Sequence, residues 1–289
     1  MADLGETLNF HKYQALGNDY LVLELTKADA PAPALVRALC DRHFGIGSDG
    51  VLVPGSGSAT QFSLRIFNPD GSEAEKSGNG LRIFARYLWD TRKVTDAAFE
   101  VATQGGIARC QVLDGGRGID VAMGTASFDS TKIPIGGPPR EVIDEQIEVD
   151  RRRLRFTGVT MGNPHCVVLL DEISPDIARR LGPLLEQHPA FPNRTNVQFV
   201  RIISRKRIQI EIWERGAGYT LGSGSSSCAA GAAAVRLGLC DPQIIAVMPG
   251  GELSVIVAED YSVRIIGPAW KIAQGTVADD LLRVARRLN

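Results

Sequence analysis

The 289-residue chain has no closely spaced pair of cysteines. Its five (Cys40, Cys110, Cys166, Cys228, Cys240) are an odd number without a C-x-x-C spacing, which suits a reducing compartment better than a disulfide framework. Excess charge of either sign is also missing. Thirty-two Lys and Arg face 33 Asp and Glu, for a net charge of -1, with no basic excess of the kind that binds nucleic acid or anionic membranes. No apolar run approaches the ~18 residues of a spanning helix, and Ile244–Met248 is typical of the longest. The segment Met1–Thr7 is short, polar and acidic, unlike a signal or transit peptide, so the expected location is cytoplasmic. What remains is an ordinary globular composition, 44% hydrophobic and 22% charged. The length predicts about two domains at ~150 residues each.

The 31 glycines gather in short polar turns: Gly45-Ile46-Gly47, Asp70-Gly71, Ser77-Gly78-Asn79-Gly80, Gly162-Asn163-Pro164, Gly216-Ala217-Gly218 and Gly222-Ser223-Gly224. Period-2 or short apolar runs between them predict strands at Leu21–Leu25, Phe62–Phe67, Cys110–Leu113, Val167–Leu170, Val197–Ile203 and Ile208–Trp213. Helices are predicted at Ala34–His43 and Ala178–His188, and at Leu81–Trp89 and Ser227–Leu237 directly after Gly-rich turns. The stretch Ser127–Arg140, with Gly136-Gly137-Pro138-Pro139, reads as the connection between halves.

A shift of 146 residues lays Leu64-Arg65-Ile66-Phe67-Asn68 over Ile210-Glu211-Ile212-Trp213-Glu214. The same shift lays Asp70-Gly71 over Gly216-Ala217, Ser77-Gly78 over Ser223-Gly224, and Gly50-Val51 over Asn196-Val197. A shift of 145 brings Ala15-Leu16-Gly17-Asn18 onto Thr160-Met161-Gly162-Asn163. Each anchor is short, but several at one offset in one order indicate an internal duplication. Each half should run strand, Gly-Asn turn, helix, strands, Ser-Gly turn, helix. The domains expected are residues 1–124 and 125–289, with the segment from about 275 to 289 a candidate to pack back on the first half.

The helix after Ser77 is apolar at Leu81, Ile83, Phe84, Ala85, Tyr87 and Leu88 and should be buried on most sides. The helix after Ser223 is built from small residues, Ala229 to Ala234, which lets strands approach closely. Free N–H groups at two such helix starts can bind an anion such as a carboxylate. Serine and glycine at a helix start are also ordinary caps, and for either turn alone that plainer explanation has equal weight. The duplication favours a site.

At these residues the sequence resembles the diaminopimelate epimerase family. The likeness runs through Leu16-Gly17-Asn18-Asp19-Tyr20, Gly45-Ile46-Gly47-Ser48-Asp49-Gly50 and Phe67-Asn68-Pro69-Asp70-Gly71-Ser72-Glu73-Ala74-Glu75. It continues in Gly78-Asn79-Gly80-Leu81-Arg82, Gly162-Asn163-Pro164-His165, Thr195-Asn196-Val197, Glu214-Arg215-Gly216-Ala217-Gly218 and Gly267-Pro268-Ala269. The resemblance implies an α+β fold of two pseudo-symmetric duplicated domains closing over a cleft. Each domain is a curved mixed or antiparallel sheet wrapped around a central helix. It implies inversion of an amino-acid α-carbon without pyridoxal phosphate, metal or other cofactor, on a small-molecule amino-acid substrate. Interconversion of L,L- and meso-diaminopimelate, in lysine and cell-wall precursor supply, is the leading expectation, and a homodimer is a possible assembly. Carried over by position, Asn18, Asn68, Asn163, Asn196, Glu214 and Arg215 are the substrate-binding residues. Gly78-Asn79 and Gly224-Ser225 are the turns whose amides cradle the reacting carboxylate. Arg215 can grip a carboxylate bidentately, and Glu214 with the Asn amides can hold an ammonium group.

The departure lies at the two proton-transfer positions. In the family, two thiols act on opposite faces of the α-carbon, and here both positions are serine, Ser77 and Ser223. A thiol with a pKa of about 8.5 needs only a modest push to ionise, whereas a serine hydroxyl needs an adjacent base. Tyr219 further replaces the usual glutamate of the Gly-Ala-Gly-Glu-Thr run, while Cys228 matches a retained non-catalytic cysteine. Three explanations compete. The chain is an engineered Cys-to-Ser trap, which Tyr219 and the unusual Ser223–Ser227 run argue against. It is an isomerase whose protons are carried by serines, water or a neighbour. Or it is a relative that no longer inverts, a one-base isomerase or lyase on another small acid or a ligand-binding homologue. Asp19, Glu75 and His165 are the candidate substitute bases.

Five other signals are set aside. Gly45–Gly50 spells a dinucleotide fingerprint but has a helix before it and a strand after it, the reverse of that motif. His11, His43, His165 and His188 lack metal-ligand spacing, and His165 beside its Asn-Pro turn suits a loop-holding hydrogen bond as well as substrate contact. Asn193-Arg194-Thr195 fits the glycosylation sequon without a signal peptide, and Arg151-Arg152-Arg153 reads as a solvated turn. Leu281–Leu288 reads as an amphipathic surface helix.

Overall fold

The computed structural model describes residues 8–25, 30–55 and 60–287. The segment Met1–Thr7 and residue Leu288 lie outside the described residues. The chain divides into two compact units, one formed by residues 1–121 with 268–289 and the other by 122–267. Among the described residues there are five α-helices: α1 (Pro33–Cys40), α2 (Gly78–Asp90), α3 (Pro175–Glu186), α4 (Gly224–Arg236) and α5 (Asp279–Arg287). Among the described residues no helix is long and apolar enough to cross a membrane.

In the first unit, strands Asn9–Ala15 and Asn18–Leu23 form a hairpin closed by Leu16-Gly17. Both turn residues have positive φ, 57° and 80°, as a two-residue primed turn requires, and glycine takes the second at no steric cost. The chain crosses through α1 to Val51–Gly55, which pairs parallel to Asn18–Leu23 and antiparallel to Phe62–Phe67. A two-residue strand, Glu73–Ala74, leads into α2. Beyond α2, Phe99–Thr103 returns parallel to Phe62–Phe67, followed by antiparallel Gly106–Leu113 and Gly118–Thr125. This sheet wraps α2, whose residues Leu81, Ile83, Phe84, Ala85 and Tyr87 have no exposed surface.

The second unit repeats that order. The hairpin is Arg152–Thr160 with Pro164–Leu169, and α3 is the crossover to a parallel strand, Asn196–Ser204. Arg207–Glu214 pairs antiparallel to it, and short Gly218–Thr220 leads into α4. Gln243–Met248 returns parallel to Arg207–Glu214, followed by antiparallel Gly251–Val257 and Ser262–Gly267. The small side chains of α4 let the strands close on it, and Ala229, Ala230, Ala232, Ala233 and Ala234 are fully buried. The duplication read from the sequence is therefore a duplicated fold, α+β in class.

Three expectations need correction. Ser127–Arg140 is not a linker. Ile133 and Ile135 sit in the second unit's core, and the segment bonds to that unit through Ser127 N to Thr160 O (3.1 Å) and Val142 N to Phe128 O (2.9 Å). Its glycines and prolines shape a loop whose apolar residues are buried. The C-terminal return begins at Pro268 rather than near 275, because Trp270–Thr276 adds to the first unit's sheet beside Asn9–Ala15. Val277, Leu281 and Leu282 then join the core around α1, and α5 packs on α1. The third concerns the helix starts. Gly78, Asn79 and Gly80 form the first turn of α2 rather than a loop before it, and Gly224 to Ser226 likewise open α4.

Helix α3 is seated on Trp213, and Gly182 makes the close approach possible. A Cβ there would lie 2.5 Å from Trp213 Cγ. Gly182→Ala is expected to destabilise the protein by about 1–3 kcal/mol, the range for an overpacked core, measured as a lower urea midpoint.

Candidate active site

Ser77 and Ser223 occupy matching places. Each is the N-cap of its unit's buried helix, in extended conformation at φ −139°, ψ 120° and φ −142°, ψ 129°. Each hydroxyl accepts the amide three residues on, Gly80 N to Ser77 Oγ at 3.0 Å and Ser226 N to Ser223 Oγ at 3.5 Å. Capping uses an oxygen lone pair and leaves the hydroxyl proton free to be directed elsewhere. At Ser223 the neighbouring carboxylate is Glu214, whose charged form the serine side chain favours. Burial raises the Glu214 pKa above the ordinary carboxylate value, with Ser223 opposing part of the rise. At Ser77 the neighbour is Tyr20, with the two hydroxyl oxygens 3.5 Å apart, at the outer limit of a hydrogen bond.

In the first unit a chain of side chains runs up to the Ser77 helix. Arg82, fully buried, donates to Asn79 Oδ1 at 2.6 Å, and Asn79 Nδ2 donates to Asn18 Oδ1 at 3.1 Å. Asn18 Nδ2 donates to Asp49 Oδ2 at 3.0 Å, and Arg42 joins Asp49 (2.6 Å) to Asp19 (2.7 Å). Asn18 and Asn79 are thus brought together with fixed amide orientation. Asn68 is not part of this chain. It is half-buried, and its Nδ2 donates to Ser72 Oγ at 3.0 Å within its own turn.

In the second unit, Asn163 is fixed by His165, with Oδ1 and Nε2 2.9 Å apart. Asn196 is spent on the backbone, accepting Arg215 N at 3.0 Å and donating to Pro164 O at 2.8 Å. It therefore shapes the Arg215 turn and is not shown with a free amide. That turn is also tied by Glu186, whose carboxylate accepts Trp213 Nε1 at 2.8 Å and Gly216 N at 3.0 Å. Glu186, which the sequence reading missed, sits at the C-terminal end of α3, where a carboxylate is disfavoured by the helix dipole. Its two donors offset that cost. Arg215 itself is exposed, with Nη1 on Asn193 O at 3.2 Å. Gly224 is buried and Ser225 half-buried in the first turn of α4.

The three candidate substitute bases stand in different surroundings. Burial works against the charge of Asp19, but hydrogen bonds from Arg42 and Lys12 hold its pKa below the usual range, so it stays an ionised ion-pair partner. Glu75 is exposed. His165 has no exposed surface, and burial pushes its pKa down to about 3, with Gln198 beside the ring opposing and the charge of Arg215 adding. Tyr219, standing where a glutamate was expected, donates to Glu211 at 2.7 Å and lies under Arg179, 4.3 Å from the ring centroid. All five cysteines are buried, and burial pushes the Cys110 thiol up to about 12 and that of Cys166 higher still.

The His165 environment predicts a pH effect on stability. An unfolded histidine takes up a proton near pH 6.5, the folded one only near pH 3. Stability is therefore full above the unfolded value and is lost as pH falls from about 6.5 toward about 3, at up to about 1.4 kcal/mol per pH unit from this group. Urea midpoints should fall between about pH 7 and about pH 5, and His165→Gln should flatten that slope. An unchanged slope would place the acid sensitivity elsewhere.

The sequence model described as Diaminopimelate epimerase matches residues 10–128 and 157–271. The chain belongs to the diaminopimelate epimerase family. It is 51% identical over 284 residues to "Diaminopimelate epimerase 2" of Nostoc sp. (strain PCC 7120), covering 98% of this chain and 100% of that protein. It is 37% identical over 274 residues to "Diaminopimelate epimerase" of Moorella thermoacetica, covering 93% and 98%. Among solved structures, a hydroxyproline epimerase from Agrobacterium vitis superposes with a TM-score of 0.70 at 16% identity, covering 95% of this chain and 93% of that one. That likeness extends the duplicated fold beyond the diaminopimelate epimerase family.

Proposed function

We propose that this chain inverts an amino-acid α-carbon without a cofactor, interconverting L,L- and meso-diaminopimelate, with Ser77 and Ser223 at the two proton-transfer positions. The observation that carries this reading is the match of the whole chain to proteins named for that reaction, joined to two buried helices each capped by one of these serines. Removing an α-proton leaves carbanion character beside the substrate carboxylate. The position of Gly78-Asn79 and Gly224-Ser225 in the first turns of α2 and α4 supports this reading, since amides at a helix start can receive developing negative charge. Asn18, Asn68, Asn163, Asn196, Glu214 and Arg215 supply substrate binding. In this role Asn196 acts by shaping the Arg215 turn, and Arg215, exposed and always charged, takes a carboxylate.

A cytoplasmic location is proposed with it, supported by five buried cysteines of the kind kept in a reducing compartment. A homodimer is proposed from the exposed apolar residues of Trp270–Thr276, where Trp270 and Ile272 are each about half exposed.

The test is conversion. Incubated with either L,L- or meso-diaminopimelate in the presence of a chelator and without pyridoxal phosphate, the protein should form the other isomer. Conversion that needs an added metal or pyridoxal phosphate would contradict the reading. A second reading, a relative that exchanges the α-proton from one face only, is favoured by one observation. The two serines have unlike neighbours, a carboxylate and a phenol.

A further inference from the structure

The pairing of Ser77 with Tyr20 has a built geometry behind it. Tyr20 is 7% exposed and lies in Asn18–Leu23, a strand tied to the next loop by Asp19 N to Asp49 Oδ2 at 3.0 Å and Asp49 N to Asp19 O at 2.8 Å. Its ring lies against the backbone of Gly50. A Cβ at that position would be 2.6 Å from Tyr20 Cε1 and 2.5 Å from Phe67 O, so any side chain at residue 50 displaces the ring. Glycine there and tyrosine at 20 together bring the phenol to the hydroxyl of Ser77, 57 residues away. A serine hydroxyl by itself is a poor acid and a poor base, whereas a phenol with a pKa near 10 is a usable proton reservoir.

We propose that Tyr20 is the proton partner of Ser77, exchanging its phenolic proton through the serine hydroxyl as Glu214 does through Ser223. The proposal rests on the reading that these serines are the proton-transfer positions. On the Ser223 side the Cα–H bond breaks and its electron pair stays on the α-carbon, delocalised into the substrate carboxylate. The proton passes to Ser223 Oγ as that serine's own proton moves to the Glu214 carboxylate. From Ser77 a proton is delivered to the α-carbon, and the Tyr20 phenol replaces it, leaving a phenolate. Solvent then restores the starting state, giving a proton to Tyr20 and taking one from Glu214, or the reverse reaction starts from the phenolate. Tyr20 acts through Ser77 and is a positioning and proton-relay residue.

Tyr20→Phe keeps the ring on Gly50 and removes only the oxygen. With L,L-diaminopimelate it should lower kcat for inversion roughly 100-fold while KM stays within about threefold, the signature of a lost acid–base group rather than a lost binding contact. In deuterated water the variant should still exchange the α-proton through Ser223 without inversion. A Tyr20→Phe protein that inverts at the parent rate overturns the proposal. A second measurement does not depend on turnover. With tyrosine labelled at ¹³Cζ, the Tyr20 resonance, identified by its loss in Tyr20→Phe, should move in Ser77→Ala while those of Tyr13, Tyr87, Tyr219 and Tyr261 hold. If it does not move, the pairing is overturned even if the parent inverts diaminopimelate. If it moves while the parent inverts nothing, the pairing stands and the diaminopimelate reading fails.

Discussion

Ser223→Asn should lower kcat for inversion by roughly 10²–10⁴ while leaving the fold almost as stable as the parent. Asparagine caps a helix about as well as serine, whereas alanine at such a position costs about 1 kcal/mol. Ser223 caps α4 through Ser226 N and has Glu214 as its neighbouring carboxylate. If capping were its only task, Ser223→Asn would keep activity and Ser223→Ala would lose stability alone. If the hydroxyl relays a proton to Glu214, both variants lose roughly 10²–10⁴ in kcat, the range for a positioned acid–base group. Urea unfolding and initial inversion rates on the same two proteins separate these outcomes. Equal activity in the parent and Ser223→Asn would reduce Ser223 to a cap.

Ser77→Cys combined with Ser223→Cys should raise kcat for inversion, on the order of 10²-fold over the serine protein. A thiol ionises near pH 8.5 in isolation, and a helix N-terminus lowers that further, so each position would hold a group suited to neutral pH. Cysteine is a weaker cap than serine, and the double variant should lose about 1 kcal/mol per helix at most. A gain in rate is the result expected if the proposed substrate-binding residues serve these two positions. No gain, in a protein that still binds diaminopimelate, means the site has diverged beyond its two proton-transfer atoms.

Much of this was legible in the residues because the signals were local or repeated. Period-2 runs between glycine turns marked six of the strands, Phe62–Phe67 to the residue, and the recurrence at 146 residues marked the second unit. The helix starts were placed late because Gly78, Asn79 and Gly80 have poor interior helix propensity. In the first turn that cost is offset by the Ser77 cap, which the Ser-x-x-Gly spacing could have shown. Ser127–Arg140 resembled a linker by its Gly-Gly-Pro-Pro core, although Phe128, Ile133 and Ile135 are apolar enough to be buried. The neighbours of the serines were out of reach for a different reason. Tyr20 and Ser77 are joined only by the sheet and helix packing, and Gly50 acquires meaning only once the ring above it is known. Asn196 and Glu186 were likewise unreadable as supports of the Arg215 turn, since their roles are hydrogen bonds to distant backbone.

The most direct test follows the α-proton NMR signal of L,L-diaminopimelate in deuterated water with the unmodified protein. The signal should disappear as meso-diaminopimelate forms carrying deuterium at the inverted carbon, because the proton removed from one face is replaced on the other by a solvent-derived one. Loss of the signal without the meso isomer would leave a one-base enzyme. A signal that persists unchanged while binding is detected would contradict the assignment of Ser77 and Ser223 as a working proton-transfer pair.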